Sequence, residues 1–369
     1  RSSAGRARAS QARGRGFETR RPLSLSVVVV TWNSRDDIGP ALAALAPELR
    51  AADELIVIDN GSTDGTADLV AAAEAVTRLI RNPGNDGFVV AVNQGAREAA
   101  GELLVLLNPD ARVRPGWRDG IEHPWHEHPE WGAWQALITS DDGATINSDG
   151  NVLHYTGICW AGRAGRAIGL APESPHEVGY ASGACLAVPL DLWREIGGFP
   201  ERLFMYGDDV DLSLGVRLLG HRVGIEPRAR VEHEYEFDKG PAKWRYLERS
   251  RGAFLVRNFP TRLLIALAPA LAATELAILL AAARGGWLGQ KLRADWDLLR
   301  WLPALLRERR AIQGGRRITP GEFADHLSSD LDSDFLGGAA TSPVVRRLVR
   351  AYWRAVRALL RGGSKPRTE

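Results

Sequence analysis

Three carboxylates fall within four positions at Asp208, Asp209 and Asp211, where a helical pattern begins. Such crowding disfavours the ionised forms unless a cation, a helix N-terminus or a bound proton compensates for it. Crowding by like charge also raises the pKa of a carboxylate, which suits a general base. The motif predicts either a catalytic base or a solvated acidic helix start.

A second polar cluster, Asn108-Pro-Asp110, directly follows the apolar run 103–107. A carboxylate at this point can hold a divalent cation that bridges a diphosphate, because hard cations prefer oxygen ligands. His233 follows a later predicted strand and offers an imidazole nitrogen to the same cation. A turn residue at Asp110 and a structural histidine at position 233 are the alternatives that the residues leave open.

The third cluster joins Thr31-Trp32-Asn33 to Asp59-Asn60, which end the first two apolar runs of the chain. A carboxylate and an amide at adjacent strand ends can bind the hydrogen-bonding edge of a pyrimidine, and Trp32 can contact its ring. The alternative is that Asn33 and Asp59 only cap their loops.

The elements that must position these clusters alternate in type. Short β-branched runs at 26–30, 54–59 and 103–107 are separated by helical spacing at 36–50 and 87–100. This alternation predicts an α/β fold with a mostly parallel, Rossmann-like sheet that carries helices on both faces. In such sheets ligands bind beyond the carboxyl ends of the strands, which is where the three clusters fall.

The second half of the chain is less regular. Residues 117–170 lose periodicity, so we predict short strands and long loops over the site. His154, Tyr155 and Trp160 in this stretch, together with Asp211, are candidates for an acceptor region, and core packing explains the first three equally well. A strand at 181–188, a helix at 190–196 and a strand at 222–225 follow, and from 244 onward only helical patterns occur.

The chain is predicted to have three parts: a basic leader at 1–23, the α/β domain at 24–243 and a helical, basic region at 244–369. The leader lacks the apolar stretch of a signal peptide and is predicted to be disordered. A net charge of +2 argues against a general nucleic-acid binder, and two cysteines without metal-site spacing fit the cytosol.

The helical region is predicted to meet the inner face of the cell membrane. Residues 263–283 are almost all apolar, although Glu275 makes a full span costly. A helix pair on the membrane surface, a buried helix and a true span therefore remain open. Residues 344–361 form an amphipathic pattern of Arg with Tyr352 and Trp353, which is typical of helices on anionic lipid. Packing on the catalytic domain and pairing of two subunits through these helices are the alternatives.

The clusters belong to a longer ordered series of motifs that resembles the family 2 glycosyltransferases over about residues 25–315, in the branch of bacterial rhamnosyltransferases. The motifs are Thr31-Trp-Asn33, Val57-Ile-Asp-Asn-Gly-Ser-Thr-Asp-Gly65, Asn85-Asp-Gly-Phe88, Asn93-Gln-Gly95, Leu107-Asn-Pro-Asp110, Tyr180-Ala-Ser-Gly-Ala-Cys185, Ile196-Gly-Gly-Phe-Pro200, Leu203-Phe-Met-Tyr206 and Asp208-Asp-Val-Asp-Leu212.

The resemblance implies a GT-A fold, inversion at the anomeric carbon and a divalent cation, Mg²⁺ or Mn²⁺. Asp110 matches the last position of the metal-binding Asp-x-Asp element, His233 a metal-side histidine and Asp209 the catalytic base. The implied nucleotide-binding residues are Thr31, Trp32, Asn33, Asp59, Asn60, Asn85, Gly87, Phe88, Asn93 and Asn108. Two positions depart from the family pattern, because Asn108 and Asp208 stand where an Asp and a Glu are usual.

The predicted function is transfer of a sugar, L-rhamnose being one candidate, from a dTDP- or UDP-sugar to a hydroxyl of a cell-envelope glycan or lipid-linked acceptor. The enzyme is expected in the cytoplasm, peripherally associated with the inner face of the membrane. The alternative is a catalytically weakened sugar-nucleotide-binding or scaffold protein. Nucleotidyl transfer is disfavoured because no Gly-rich basic loop follows the first strand.

Overall fold

The computed structural model describes residues 23–234, 240–330 and 342–362. Most of its strands are apolar runs rich in Val, Ile and Leu, which pack well on a pleated surface that is buried on both sides. They are β1 (Leu25–Thr31), β2 (Glu54–Asp59), β3 (Arg78–Arg81), β4 (Leu103–Leu107), β5 (Ala111–Val113), β6 (Trp131–Ser140), β7 (Thr145–Ser148), β8 (Asn151–Leu153), β9 (Cys159–Ala161), β10 (His176–Glu177), β11 (Cys185–Pro189) and β12 (Arg222–His233).

Ten of these strands form one twisted sheet, whose main path runs β10-β12-β6-β11-β4-β1-β2-β3. The neighbours β4-β1-β2-β3 are parallel, and β6 pairs in parallel with β12. Strand β11 lies antiparallel between β4 and β6. The strands β12 and β6 on one side of it and β4, β1, β2 and β3 on the other therefore all run in the same direction. The predicted mostly parallel sheet is confirmed, and the carboxyl ends of its main strands meet at one edge.

Six α-helices accompany the sheet within the described residues 23–234. They are α1 (Arg35–Leu45), α2 (Thr66–Ala71), α3 (Phe88–Glu98), α4 (Trp117–Glu127), α5 (Leu190–Ile196) and α6 (Asp208–Leu218). Alternate residues of β1 separate two cores: Val27 and Val29 pack with α1 and α4, whereas Val28 and Val30 pack with α3 and α6. Helices therefore cover both faces, as the alternating pattern predicted.

The last third of the described chain is helical, which confirms the predicted absence of strands there. Its helices are α7 (Ala242–Asn258), α8 (Thr261–Arg284), α9 (Leu288–Gly315), α10 (Pro320–Asp325) and α11 (Pro343–Gly362). A third core joins them to the α/β part, with Leu214 of α6, Phe254, Leu263, Phe323 and Trp353 among its buried members. The predicted boundary at 243/244 falls inside α7, and the two parts share this core.

The expectation of short strands and long loops at 117–170 is wrong in its first half. Residues 117–127 form α4, and 131–140 form a ten-residue strand in the middle of the sheet. Pro124 and two histidines, His123 and His126, disturb the amphipathic pattern of α4. Two tryptophans, Trp131 and Trp134, make β6 resemble an irregular segment. Of the predicted leader, residues 1–22 lie outside the described residues, whereas Leu23 is buried and belongs to the core.

Candidate functional site

The ends of β1 and β2 hold a buried polar pair. The Thr31 hydroxyl donates a hydrogen bond of 2.9 Å to Asp59, and both side chains are almost fully buried. Asp59 also accepts bonds from the Ser62 backbone N–H at 3.0 Å and the Ser62 hydroxyl at 2.5 Å. Because the residues after β1 and β2 are adjacent in the sheet, this network fixes the loop that follows β2 against the end of β1.

Asn33 continues this network in the left-handed backbone region, with φ of 49°. Its side-chain oxygen accepts the Thr63 N–H at 2.9 Å, while its own N–H donates to the Ser62 hydroxyl. Trp32 beside it is 55% exposed, which is unusual for so large an apolar ring. The two loops thus form a rigid platform from which an aromatic ring projects into solvent, where it is available for stacking.

The loop before α3 is held to the same platform. Asn60 is buried and donates from Nδ2 to the Gly87 carbonyl at 3.1 Å, and the Asn85 side chain accepts the Gly87 N–H at 2.9 Å. Gly87 has φ of 99°, and a Cβ there would lie 2.5 Å from the Phe204 ring. The next residue, Phe88, is half-buried and lines the cavity described below. Asn85 to Phe88 therefore connect the β1–β2 platform to the segment that precedes α6.

A carboxylate, an imidazole and an amide converge after β4. His233 Nε2 lies 3.2 Å from Asp110 Oδ1 and 3.3 Å from Asn108 Nδ2. Antiparallel pairing of β5 with β12 sets this geometry by placing Ala111 opposite His233. Oxygen and imidazole ligands of this kind fit a divalent cation such as Mn²⁺ or Mg²⁺. No three His, Cys, Asp or Glu side chains converge in this way within the described ranges, so substrate oxygens and water would complete the coordination.

The two acidic residues at the start of α6 lie in different surroundings. Asp208 is 5% exposed. Burial is the main cause that raises the pKa of its carboxyl, and the negative charges of Asp209 and Asp211 raise it further. Burial also raises the pKa of Asp209, but this side chain accepts the Gly183 N–H at 3.2 Å, which favours its charged form. Asp209 is the more accessible of the pair and the better placed to stay ionised near neutral pH.

A cavity of about 500 Å³ brings the two groups together. It is lined by five predicted polar residues, Asn108, Asp110, Asp208, Asp209 and His233. The strand-end platform, which comprises Thr31, Trp32, Asn33, Asp59 and Asn60, is not part of this lining. The cavity thus joins the candidate cation site to the candidate base, while the pyrimidine candidates form a separate platform.

Helix α7 forms one wall of the cavity, and the sequence analysis predicted no site residue in it. Lys243, Leu247, Arg251 and Phe254 recur at helical spacing and line it together with Trp244. The spacing is a detectable signal, but it is equally typical of a helix that packs on a core. Asn151, at the start of β8, is a further lining residue that no motif indicated. Tyr206 also lines the cavity; it ends the motif Leu203-Phe-Met-Tyr206 but was not predicted as a site residue.

Seven predicted residues outside the platform are also absent from the cavity lining: Asn85, Gly87, Asn93, His154, Tyr155, Trp160 and Asp211. Asn93 exchanges two hydrogen bonds of 2.9 Å with the Phe199 backbone, so its amide closes the loop after α5. Asp211 accepts bonds from Arg257 at 2.7 Å and Asn258 at 2.8 Å. These contacts use both side chains to join distant segments of the chain.

Another two of these residues, His154 and Tyr155, are buried against the C-terminal helices. Burial lowers the pKa of His154 to about 4. Tyr155 stacks on Trp353 with ring centroids 4.8 Å apart. Trp160 is half-buried in β9, between two residues that line the cavity. Core packing, the alternative open at the sequence level, describes the surroundings of His154 and Tyr155.

Comparison with known proteins places the chain among enzymes. A family model described as glycosyl transferase family 2 matches residues 26–160. The N-acetylglucosaminyl-diphospho-decaprenol L-rhamnosyltransferase of Mycobacterium tuberculosis is 30% identical over 239 residues, which cover 58% of this chain and 78% of that protein.

Solved structures resemble the fold at lower identity. A crystal structure of GalNAc-T7 with UDP, GalNAc and Mn²⁺ superposes with a TM-score of 0.54 at 15% identity, covering 69% of this chain and 52% of that one. Staphylococcus aureus TarS 1-349 in complex with UDP-GlcNAc superposes with a TM-score of 0.50 at 15% identity, covering 94% of each chain. At such identity the likeness concerns the fold alone.

Proposed function

Because the chain belongs to the family 2 glycosyltransferases and has a GT-A fold, we propose that it is an inverting enzyme that transfers a sugar from a nucleotide diphosphate to an acceptor hydroxyl. One observation carries the proposal. The Asp209 carboxylate lines the same cavity as the Asp110–His233 pair, so a base and a cation site are both within reach of a sugar bound there. Inversion needs this arrangement and no enzyme nucleophile.

Donor binding is assigned to the platform and the residues around it. Asp59 and Asn33, each oriented by hydrogen bonds, would bind the edge of the pyrimidine, and exposed Trp32 would stack on its ring. The loop ending in Phe88 would then direct the diphosphate towards Asn108 and Asp110. A divalent cation bound by Asp110 and His233 would offset the charge of the leaving diphosphate.

Asp209 is the proposed base. Its Oδ2 is oriented by the Gly183 N–H, and the N-terminus of α6 favours its negative charge. It would accept the proton of the acceptor hydroxyl as that oxygen bonds to the anomeric carbon and the bond from this carbon to the phosphate oxygen breaks. Asp208, with the more deeply buried carboxyl, would remain protonated and limit the repulsion within the pair.

The donor and acceptor are proposed from the relative's chemistry. Since that relative is named as an L-rhamnosyltransferase acting on a diphospho-decaprenol lipid, we infer a dTDP- or UDP-sugar donor, with L-rhamnose as the first candidate. A lipid-linked or cell-envelope glycan would be the acceptor, and the enzyme would work in the cytoplasm at the inner face of the membrane.

A donor screen tests the proposal. Nucleotide release from dTDP- and UDP-sugars is measured with Mn²⁺, Mg²⁺ or EDTA for the wild type, for Asp209→Asn and for Asp191→Asn, whose carboxylate is 94% exposed. We expect metal-dependent release by the wild type and by Asp191→Asn, and at least a hundredfold loss (about 2.7 kcal/mol of activation free energy) in Asp209→Asn. Equal release by Asp209→Asn would show that this residue is not the base.

The second candidate is a sugar-nucleotide-binding protein with a weakened site. Asn108 favours it, because this amide stands where the family has a metal-binding carboxylate and leaves Asp110 as the carboxylate of the cluster. Such a protein would bind a nucleotide sugar and shift in melting temperature without releasing nucleotide, even with acceptor present. Turnover by the wild type that Asp209→Asn abolishes would exclude this candidate.

A further inference from the structure

Large apolar side chains are exposed mainly on three C-terminal helices. Twelve of the sixteen such side chains in the described ranges lie on α8, α9 and α11. They are Ile265, Leu276, Leu280, Leu292, Trp296, Leu299, Leu302, Leu306, Val344, Val345, Leu348 and Leu359. We call these residues the apolar surface. Exposed apolar clusters on a folded protein mark contacts with a partner or a membrane.

Helix α8 is long and apolar enough to cross a bilayer by length and composition, yet only 11% of its most apolar window is buried. Its outward face repeats at intervals of about four residues through Ile265, Ala272, Leu276 and Leu280. Glu275, the acidic residue within it, is 42% exposed and pairs with Arg251 and with Lys291, the latter at 2.7 Å. Two cations therefore compensate the negative charge that would oppose contact with anionic lipid.

Helix α9 compensates its negative charges in the same way. Each of its acidic residues is paired with a cation: Asp295 with Lys291 at 2.8 Å, Asp297 with Arg245 at 2.8 Å, and Glu308 with Arg202 at 2.5 Å. The outer face keeps the apolar stripe and arginines. The sequence pattern alone could not reveal this pairing, because acidic and basic residues alternate along α9.

Six arginines beside the apolar surface have no acidic partner in the part of the chain that the structure describes. They are Arg293, Arg300, Arg307 and Arg310 on α9, and Arg347 and Arg354 on α11, and all six are exposed. Unpaired guanidinium groups next to exposed Leu and Trp are complementary to an anionic lipid surface, where each cation adds to the attraction. A second copy of the chain would bring like charges together, which disfavours pairing through this surface.

We propose that α8, α9 and α11 dock the protein onto an anionic bilayer, with α8 lying in the interface and not crossing it. Crossing would break the contacts of Glu275 with Arg251 and Lys291, and Lys291 is only 1% exposed. Leaving buried charges without partners is strongly unfavourable, whereas docking through the outer faces preserves these contacts. The proposed function explains why docking would be useful, but docking itself does not depend on it, since lipid binding requires no catalysis.

The surface also adjoins the active-site cavity. Trp244 lines the cavity and stacks on Trp287 in the α8–α9 turn, with ring centroids 4.6 Å apart. An acceptor anchored in the bilayer could therefore present its hydroxyl at the α7 wall while its lipid stays beside α8 and α9. The apolar surface thus provides a lipid-linked acceptor with a short route from membrane to base.

Vesicle flotation of the full chain tests the proposal, with neutral phosphatidylcholine vesicles and vesicles containing about 30% phosphatidylglycerol. Two double variants probe the surface: Trp296→Ser/Leu299→Ser for the apolar part and Arg300→Gln/Arg307→Gln for the charges. Matched controls are Leu170→Ser, 57% exposed, and Arg78→Gln/Arg81→Gln on the far edge of the sheet. Melting curves confirm that every variant folds.

We expect binding to anionic vesicles that weakens between about 0.1 and 0.5 M salt, falls about tenfold or more in each surface variant and is unchanged in the controls. Alkaline carbonate should release the bound protein. Equal binding to neutral vesicles, unchanged binding of the variants or release by detergent alone would overturn the proposal. So would a dimer, measured by light scattering, that the apolar variant abolishes while vesicle binding is absent.

Donor hydrolysis without lipid is measured on the same samples. Loss of hydrolysis with intact flotation counts against the proposed function alone, whereas intact hydrolysis without flotation counts against the docking surface alone.

Discussion

At the scale of single residues, Asp208 and Asp209 show how neighbours of one type acquire different properties. Both begin α6, but Asp208 is buried beside two other carboxylates, whereas Asp209 opens to the cavity and accepts a backbone N–H. A raised pKa in the folded state means that the native protein keeps a proton which the unfolded chain has released. Ionising Asp208 therefore destabilises the fold.

From this we predict that Asp208→Asn stabilises the protein in alkaline conditions. The native pKa of Asp208 is raised, so wild-type stability falls as pH rises from the unfolded value of about 3.9 through the higher native value. The amide mimics the protonated acid and avoids that loss. We expect the variant to gain about 1–2 kcal/mol at alkaline pH and nothing near pH 4.

Urea unfolding at both pH values measures the effect, with Asp191→Asn as the exposed control, which should change neither value. A variant that is less stable than the wild type at both pH values would mean that the Asp208 carboxyl has a structural role that an amide cannot fill.

Much of the site was predictable at this scale because its residues follow strands. Asp59, Asn108 and Asp110 lie at the carboxyl ends of β2 and β4. The alternation of strands and helices in the sequence is sufficient to predict these positions. The partners of Asn93 and Asp211 were not predictable, since Phe199 and Arg257 are 106 and 46 residues away along the chain. The residue type determines which hydrogen bonds a side chain can form. Tertiary contacts determine whether it forms them within the protein, as Asn93 and Asp211 do, or with a ligand.

At the scale of elements, Gly87 links the start of α3 to the segment before α6. Its φ of 99° and the Phe204 ring, 2.5 Å from an ideal Cβ, exclude a side chain there. We predict that Gly87→Ala costs about 2–4 kcal/mol, from backbone strain and from displacement of Phe204. Nucleotide binding should weaken too, because Asn60 and Asn85 both bond to the Gly87 backbone.

Gly84→Ala is the matched control, since nothing lies within 4 Å of a Cβ at that position. It should change the free energy of unfolding by less than about 0.5 kcal/mol. Equal losses in the two variants, measured by urea unfolding, would mean that the whole loop requires glycine and that Phe204 has no special part.

The elements themselves were predictable where periodicity is strong and unpredictable where it is broken. Strands β2 and β4 and helix α5 occur at the predicted residues, whereas α4 and β6 were missed. In β6 every residue but the last is buried, so no alternation of apolar and polar residues exists. Its identity as a strand follows from pairing with β11 and β12, which are 45 or more residues away.

At the scale of the whole molecule, the α/β part and the helical part share a core. Leu153, Val210 and Leu214 pack there with Phe254 and Trp353. The sequence suggested a division near residue 243, because strand patterns end there. One core contains residues from both sides of this boundary, so α6, which carries the candidate base, and the helices of the apolar surface should unfold together.

A substitution at Trp353, in the shared core, tests whether the two regions unfold as one cooperative unit. This residue is 4% exposed, stacks on Tyr155 and lies on α11, far along the chain from the proposed catalytic residues. We predict that Trp353→Ala costs about 3–5 kcal/mol, as for other large-to-small changes in a core. Leu359→Ala on the same helix, 68% exposed, should change stability by less than about 0.5 kcal/mol.

The form of the transition is the decisive measurement, followed by far-ultraviolet circular dichroism and by tryptophan fluorescence in urea. If the shared core makes one cooperative unit, Trp353→Ala lowers a single midpoint that both signals report, and donor hydrolysis is lost at the same urea concentration. If α11 is an independent appendage, the variant instead shows an early partial transition while the main midpoint and hydrolysis stay at wild-type values. Cooperative loss would mean that the helices proposed to meet the membrane also stabilise the catalytic cavity, because Tyr155 and α6 depend on the same packing.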